Sequence, residues 1–258
     1  MPMLVDIDGG VGRLVISRPE ALNAIDFDLS IELSEAWERM ASDDAVRVVV
    51  LTGDGDRAFC AGADLKTLLP LILAGGYQEG VGAEGNVFAK AVPLYKPVVA
   101  AVNGDAIAGG TELLQATDLR IAVEGARFGL QEVRWALFPA GGSSVRLARQ
   151  IPYCLAMEIL LTGRLIEAEE AVRFGLINKV VPREQFDDEV EKIVDELLRN
   201  GPIATEAVKE SVLTTQGMTL PEAFRKESEL SKRVFETEDA HEGPRSFIEK
   251  REPVYKGK

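Results

Sequence analysis

Two glycines stand directly before Thr111 and Glu112, at the head of an apolar stretch that is typical of a helix. The free N–H groups at a helix N-terminus attract negative charge, and the helix dipole adds to that attraction. Gly109 could therefore donate its N–H to an oxyanion, with Glu112 beside it as an acid or base. An acidic residue that offsets the dipole of the first helical turn explains Glu112 equally well.

A second group of small residues, Cys60-Ala61-Gly62-Ala63, follows a buried strand that we expect to end at Thr52. Gly62 permits an unusual backbone angle or a close approach to a ligand. The N–H of Ala63 could then point into a cavity rather than pair within a sheet. An ordinary tight turn is the alternative, because small residues fill many turns.

Glu132 lies between Gly129 and Pro139 in a segment rich in apolar residues. Burial among apolar groups raises the pKa of a carboxyl group, which a general acid or base near neutral pH requires. A surface glutamate between two core residues is the alternative. The small residues that follow predict the start of a helix, with Ser143 or Ser144 as its N-cap.

The first half of the chain supplies the elements that must position these groups. Leu29 and Trp37 belong to one helix face with a spacing of three to four residues, and Asp26 or Asp28 is the expected N-cap. Strands are expected over residues 11–17, 46–53, 97–104 and 119–123. The apolar runs of the second and third predict strands buried on both faces, as in a parallel or mixed sheet.

The second half is predicted to be mostly helical. An apolar stripe from Val190 to Leu198 marks one helix, which residues 200–202 are expected to end, and two more helices are expected over 203–213 and 220–235. The Gly-rich residues 70–85 are expected to form a mobile loop. We divide the chain into a core, 1–200, and a C-terminal helical region, 201–258.

Composition excludes several classes of protein. The 258-residue chain carries a net charge of −13 and has no basic run, so nucleic-acid binding is not expected. The single histidine, His241, rules out a multi-histidine metal site, and no cysteine spacing suggests zinc. Two cysteines, no secretory signal and no membrane-spanning run lead us to expect a cytoplasmic protein. Cys60 is interpreted as a packing residue.

Six segments in order give the chain a specific resemblance, which runs from about Leu4 to Lys256. They read RPEALNAI, LTGDGDRAFCAGADLK, AAVNGDAIAGGTELLQATDLRIA, ARFGLQEVRWALFPAGGSSVRL, LLTGRLIEAEEAVRFGLINKVVP and EGPRSFIEKR. Together they resemble the enoyl-CoA hydratase/isomerase family, the crotonase superfamily. The resemblance implies an α/β fold, with a crotonase (ClpP-like spiral) core of repeated ββα units and a C-terminal helical trimerisation region.

The resemblance also implies an oxyanion site for an acyl-CoA thioester. The N–H groups of Ala63 and Gly109 match the positions that donate to the thioester oxygen. Gly110 is expected to let the helix begin close to the ligand. Coenzyme A would be part of the substrate, and no further cofactor or metal is expected.

Two matching glutamates favour hydration within the family. Glu112 and Glu132 would hold a water between them. One would accept a proton from this water as its oxygen adds to C3 of an enoyl-CoA, and the other would deliver a proton to C2. The sequence does not decide which of the two glutamates accepts the proton and which delivers it. The N–H of Ala140 would help to hold the water, although many relatives have glycine there.

The implied contacts to coenzyme A come from three parts of the chain. They are Ala21, Leu22 and Ala24 along the adenine and pantetheine path, Lys66 at a phosphate, and Phe247 and Lys250 at a neighbouring subunit's site. Glu20 stands where relatives often carry a basic residue. Solvated lysines and a packing phenylalanine are the alternatives. Relatives form trimers, often paired into hexamers.

Rival functions remain open. A Δ3–Δ2 enoyl-CoA isomerase would need one glutamate, a serine peptidase would need a Ser–His pair, and a silent acyl-CoA-binding protein would need neither. Residues 132–164 also resemble a subgroup linked to bulky, sterol-derived acyl chains, so fatty-acid and steroid side-chain β-oxidation are both candidate pathways. Trp135 would either shape a wide acyl pocket or belong to the core.

Overall fold

The computed structural model describes residues 2–74, 87–89 and 93–258. Most of the Gly-rich segment that was predicted to be a loop lies outside these residues. Its beginning does not, and there the prediction is wrong, because residues 70–73 belong to helix α2 (Leu68–Leu73). The apolar run from Leu68 to Leu73 forms helical turns that place part of their surface against the core.

A six-stranded sheet forms the larger layer. Its strands are β1 (Met3–Asp8), β2 (Val11–Ile16), β3 (Val48–Gly53), β5 (Val98–Val102), β7 (Leu119–Val123) and β10 (Lys179–Val181) in that spatial order. The β1–β2 pair is antiparallel and all other pairs are parallel. The expected parallel, buried strands are confirmed: every residue of β5 is buried, as are five of the six in β3.

A smaller sheet contains β4 (Ala58–Cys60), β6 (Asp105–Ile107), β8 (Arg127–Gly129) and β9 (Ile166–Glu167). The first three strands run parallel, and β9 is antiparallel to β8. Along the chain, each of β3, β5 and β7 is followed by a strand of the smaller sheet and then by helical structure. These are the repeated ββα units expected from the resemblance.

Seven α-helices lie in the described part of residues 1–200. They are α1 (Phe27–Ser42), α2, α3 (Gly109–Gln115), α4 (Ser143–Gln150), α5 (Tyr153–Thr162), α6 (Ala168–Phe174) and α7 (Phe186–Leu198). The sequence predicts α1, α3, α4 and α7 among them. Asp26 caps α1, since its carboxylate accepts the Leu29 N–H at 2.9 Å. The predicted serine cap of α4 is wrong: Gly142, at φ 123°, precedes the helix. The hydroxyl of Ser143 instead accepts a hydrogen bond from Gln115.

Three helices fill the C-terminal region: α8 (Pro202–Thr214), α9 (Leu220–Phe235) and α10 (Glu238–Glu249). The first two confirm the helices predicted from the sequence. Residues 200–202 do not end α7 by a left-handed glycine, because Gly201 has φ −64° and is the N-cap of α8. The domain boundary at residue 200 stays a prediction, and it falls between α7 and α8. In the described part of the chain, no helix is both long and apolar enough to cross a bilayer.

Candidate active site

The loop after β4 turns the Ala63 N–H away from its neighbouring strand. Ile25 and Ala63 form an isolated parallel bridge, in which the Ile25 N–H donates to Gly62 O at 2.7 Å and the Asp64 N–H donates to Ile25 O at 2.8 Å. In such a bridge the N–H of the central residue points to the opposite side. Gly62 is required here, because it has φ 94° and a Cβ would lie 2.9 Å from the Ala108 Cβ.

The second N–H donor lies at the start of α3. Gly109 is the first residue of this helix, so its N–H has no partner within the helix. Ala108 precedes it in an unusual conformation, φ 52° and ψ −120°, and is tied to β8 by a hydrogen bond to Gly129 O. A Cβ on Gly109 would lie 3.6 Å from the backbone nitrogen of Ala63. The two amides predicted from separate motifs therefore lie close together.

Gly110 lies against the end of β4. A Cβ at this position would lie only 1.9 Å from the carbonyl oxygen of Cys60. Gly110 thus allows α3 to pack directly on the end of β4, and its expected role towards a ligand stays a prediction. Cys60 is fully buried, and burial raises the pKa of its thiol to about 12. The interpretation of Cys60 as a packing residue is confirmed.

Glu112 is buried within α3, with only 4% of its surface exposed. Its Oε1 accepts the Ser143 N–H at 3.2 Å. The backbone of Gly141 lies against the same carboxylate, because a Cβ there would be 2.3 Å from Oε2. The short α3 has all seven of its residues buried, which fixes the Glu112 backbone inside the protein.

Glu132 begins a short 3₁₀ helix over residues 132–135. Burial raises the pKa of its carboxyl group to about 7, and the nearby charge of Glu112 adds to the rise, while a backbone hydrogen bond opposes it. Its Oε2 is buried and accepts no hydrogen bond from the described residues. A buried carboxylate oxygen without a partner is costly, and this is typical of a group that meets a ligand or water.

One cavity of about 520 Å³ brings the predicted chemical groups together. Ala63, Gly109, Glu112, Glu132 and Ala140 all line it. The rest of the lining is mainly apolar and comes largely from α2, from residues 87–88 and from residues 135–138. A mostly apolar cavity with a few convergent polar groups is what a small-molecule site requires.

The predicted contacts to coenzyme A are not among the residues that line this cavity. Leu22 and Lys66 are exposed, Ala21 and Ala24 are half-buried, and Phe247 and Lys250 lie exposed at the end of α10. Phe247 is 85% exposed, so it does not pack within its own chain. His241 is exposed on α10 and also lies outside the cavity lining, which leaves a Ser–His peptidase site without support.

Several lining residues were missed by sequence reasoning. Ile25 contributes through the bridge to Ala63, and Gly141 through its contact with Glu112. Leu65, Leu69 and Ile72 line the cavity from one face of α2 and the turn before it. Their spacing of three to four residues was a usable signal, but it lay in a segment that we had assigned partly to a loop.

Comparison with known proteins identifies the family. The enoyl-CoA hydratase/isomerase family model matches residues 6–258. The enoyl-CoA hydratase EchA19 of Mycobacterium tuberculosis is 42% identical over 99% of this chain and 96% of its own length. The (E)-benzylidenesuccinyl-CoA hydratase of Thauera aromatica is 35% identical, with all of both chains covered.

The solved structures agree with the sequence comparison. The enoyl-CoA hydratase of Bacillus anthracis superposes with a TM-score of 0.92 at 35% identity, with all of both chains covered. The chain therefore belongs to the enoyl-CoA hydratase/isomerase family and has the crotonase fold. It is an enzyme, similar over its full length to proteins named as hydratases.

Proposed function

We propose that this enzyme hydrates 2-enoyl-CoA thioesters reversibly to 3-hydroxyacyl-CoA. One observation carries the proposal: Glu112 and Glu132 line the same cavity as the neighbouring backbone amides of Ala63 and Gly109. Two acidic groups beside one oxyanion site are what addition of water requires. Coenzyme A enters as part of the substrate, and the chemistry needs no further cofactor.

In the proposed reaction, the thioester oxygen accepts hydrogen bonds from Ala63 and Gly109. This withdraws electrons from the C2–C3 double bond and makes C3 electrophilic. A water loses one proton to a carboxylate as its oxygen bonds to C3, and the π electrons move onto the thioester oxygen as an enolate. Return of that electron pair to C2, with a proton from the second carboxyl group, completes the addition. Preorganised donors of this kind contribute about 3 kcal/mol each in the transition state.

We assign the proton at C2 to Glu132 and activation of the water to Glu112. The raised pKa of Glu132, about 7, keeps a substantial fraction of its carboxyl group protonated near neutral pH. The two groups interact, so the pair titrates as a unit. The N–H of Ala140, which lies in the cavity wall, is a candidate third contact to the water.

The rival within the family is isomerisation of a 3-enoyl-CoA, in which one carboxylate moves a proton between C4 and C2. The buried Oε2 of Glu132 accepts no hydrogen bond from the described residues, which favours hydration because it makes a second carboxyl group available at the cavity. Incubation with crotonyl-CoA separates the rivals by mass, since hydration adds one water and isomerisation adds nothing. Absence of any water adduct with crotonyl-CoA and with longer 2-enoyl-CoAs would contradict the proposal.

The shape of the cavity supports a bulky acyl group. Leu65, Trp135 and Phe138 line it while leaving about 70% of their own surface exposed, which makes a wide apolar mouth. We propose that this mouth receives the distal part of a large apolar acyl chain, which includes a steroid side-chain thioester within β-oxidation. Comparing kcat/KM for crotonyl-CoA, a long linear enoyl-CoA and a steroid side-chain enoyl-CoA tests this. Equal or declining values with size would refute it.

We further propose a trimeric cytoplasmic enzyme, as a single trimer or a pair of trimers. The exposed side chains of Phe247 and Lys250 are then free to complete the coenzyme A site of a neighbouring subunit. Light scattering of the purified protein gives the oligomeric state. Phe247→Ala is expected to raise KM for crotonyl-CoA with less effect on kcat, and an unchanged KM would refute this role.

A further inference from the structure

The position of the Ala63 N–H depends on a contact between two loops. Ala63 pairs with Ile25, through the two backbone hydrogen bonds that flank its amide. On the N-terminal side of the bridge, the same loops also share a hydrogen bond from the Ala61 N–H to Leu22 O at 3.1 Å. So short a set of backbone bonds is a weak element, and side-chain contacts around the bridge add to the hold on Ala63.

Arg18 makes contacts on both sides of this bridge. Its guanidinium donates to the carbonyl oxygen of Ala24, and its Nη2 lies 3.0 Å from Asp26 Oδ2 and 3.3 Å from Asp64 Oδ2. Ala24 and Asp26 are the two neighbours of Ile25, and Asp64 is the residue directly after Ala63. One planar cation thus joins the residues around both members of the bridge.

The setting makes these contacts stronger than ordinary surface ion pairs. The side chains of Arg18, Asp26 and Asp64 are only 17%, 21% and 14% exposed. Although partial burial opposes ionisation of Asp64, hydrogen bonds from the Lys66 N–H and from Arg18 hold the pKa of its carboxyl group below the usual value. Asp64 uses Oδ1 for backbone N–H groups at the start of α2 and Oδ2 for Arg18, so the two tasks are separate.

We propose that Arg18 is a positioning residue for the oxyanion site: its contacts with Ala24, Asp26 and Asp64 fix the Ile25–Ala63 bridge and so aim the Ala63 N–H at the thioester oxygen. The inference rests on the proposed hydratase function. Arg18 itself does not touch the substrate in this role, since it is absent from the cavity lining.

The test is a set of substitutions that change the contacts of Arg18 and little else. Arg18→Met removes the charge and the donors while keeping the unbranched apolar part of the side chain. Arg18→Lys keeps the charge but is shorter and lacks the planar fork of donors. Asp64→Asn keeps an Oδ1 acceptor for α2 and removes the charge facing Arg18. Arg13→Met is the matched control, because it deletes an exposed pair with Glu191 and lies outside the cavity lining.

Two measurements distinguish positioning from general stability. The first is kcat and KM for crotonyl-CoA. The second is the apparent pKa of bound acetoacetyl-CoA, whose enolate absorbs in the ultraviolet and carries its negative charge on the oxygen that Ala63 and Gly109 would bind. This spectroscopic pKa reports the strength of the oxyanion site in the folded protein only. It works whether or not the enzyme hydrates crotonyl-CoA, so failure of the proposed function and failure of this inference are separable.

For Arg18→Met we expect kcat to fall about 10- to 100-fold with KM changed less than about 3-fold, because a displaced donor weakens the transition state more than the ground state. The enolate pKa should rise by about one pH unit or more. Arg18→Lys should be intermediate, Arg13→Met should match the parent, and Asp64→Asn should add little to Arg18→Met in the double variant.

A wild-type enolate pKa in Arg18→Met would overturn the inference, even if the variant were less active because less of it folds. Full additivity of Arg18→Met and Asp64→Asn in kcat would overturn it as well. If wild-type protein fails to hydrate any enoyl-CoA but Arg18→Met still shifts the enolate pKa, the hydratase proposal fails and the positioning role of Arg18 stands.

Discussion

Glu132→Gln should make the protein more stable at pH 8 while it removes activity. The carboxyl group has a pKa of about 7 in the folded chain against an ordinary value of 4.5. Below pH 4.5 it is protonated in both states, so it does not favour either one. As the pH rises towards 7, only the unfolded chain releases its proton readily, and the folded state loses stability relative to the unfolded state. Above pH 7 this loss of folding stability has reached its full size and no longer changes with pH.

The size of this effect follows from the pKa difference. About 2.5 pH units correspond to roughly 3 kcal/mol as an upper bound. Glu132 is only partly enclosed, so solvent screening lowers the expected value to about 1–2 kcal/mol. A glutamine of the same shape does not ionise, so it avoids the loss and gains that amount relative to wild type above pH 7.

Urea denaturation at pH 5 and pH 8, at one protein concentration, measures the difference in the free energy of unfolding. Glu35→Gln, at an exposed position on α1, is the control and should show no comparable change. Hydration of crotonyl-CoA by Glu132→Gln should fall by a factor of about 100 or more. If Glu132→Gln gains no stability between pH 5 and pH 8, burial does not hold the proton on this residue and our acid–base assignment is wrong.

Three further predictions concern the same site. Gly109→Pro removes one donor, so kcat should fall by a factor of about 100 to 1,000 while the protein still folds; a near-normal proline variant would contradict the donor role. Glu112→Gln should lower the hydration rate by orders of magnitude while leaving acetoacetyl-CoA binding largely intact, which a parental rate with crotonyl-CoA would disprove. Gly110→Ala should lower the free energy of unfolding by about 1–3 kcal/mol or more, because its Cβ would meet the Cys60 carbonyl oxygen at 1.9 Å; a fully stable variant in urea would show that α3 can move away from β4.

The sequence was informative where a pattern extends over several residues. The strands over 98–102 and 119–123 and the helix α9 were predicted nearly to the residue, because long apolar runs and helical spacing leave few alternatives. The strands of the smaller sheet have two or three residues each, which is too short for any periodicity to appear. Only the resemblance to a family implied that they exist.

Within the site, the residues that matter were predicted better than the contacts that explain their presence. Gly109 and Gly110 were both read as serving the ligand, yet Gly110 faces the Cys60 backbone, a contact that cannot be inferred from neighbours in sequence. The α4 cap was assigned to serine by propensity. In the structure the Ser143 hydroxyl accepts a hydrogen bond from Gln115, and the Ser143 N–H donates to Glu112. The contacts of Arg18 join two loops and are likewise visible only in three dimensions.

Helix α3 has no face at the outer surface of the protein, since each of its seven residues is buried. A substitution there disturbs several packed neighbours at once, so this half of the cavity has little freedom to vary without loss of folding. Another part of the cavity wall is built from exposed residues such as Leu65, Trp135 and Phe138, where a substitution disturbs fewer packed neighbours. Evolution, or a protein engineer, can therefore alter which acyl groups enter by changing that wall alone, while the machinery for adding water is inherited unchanged.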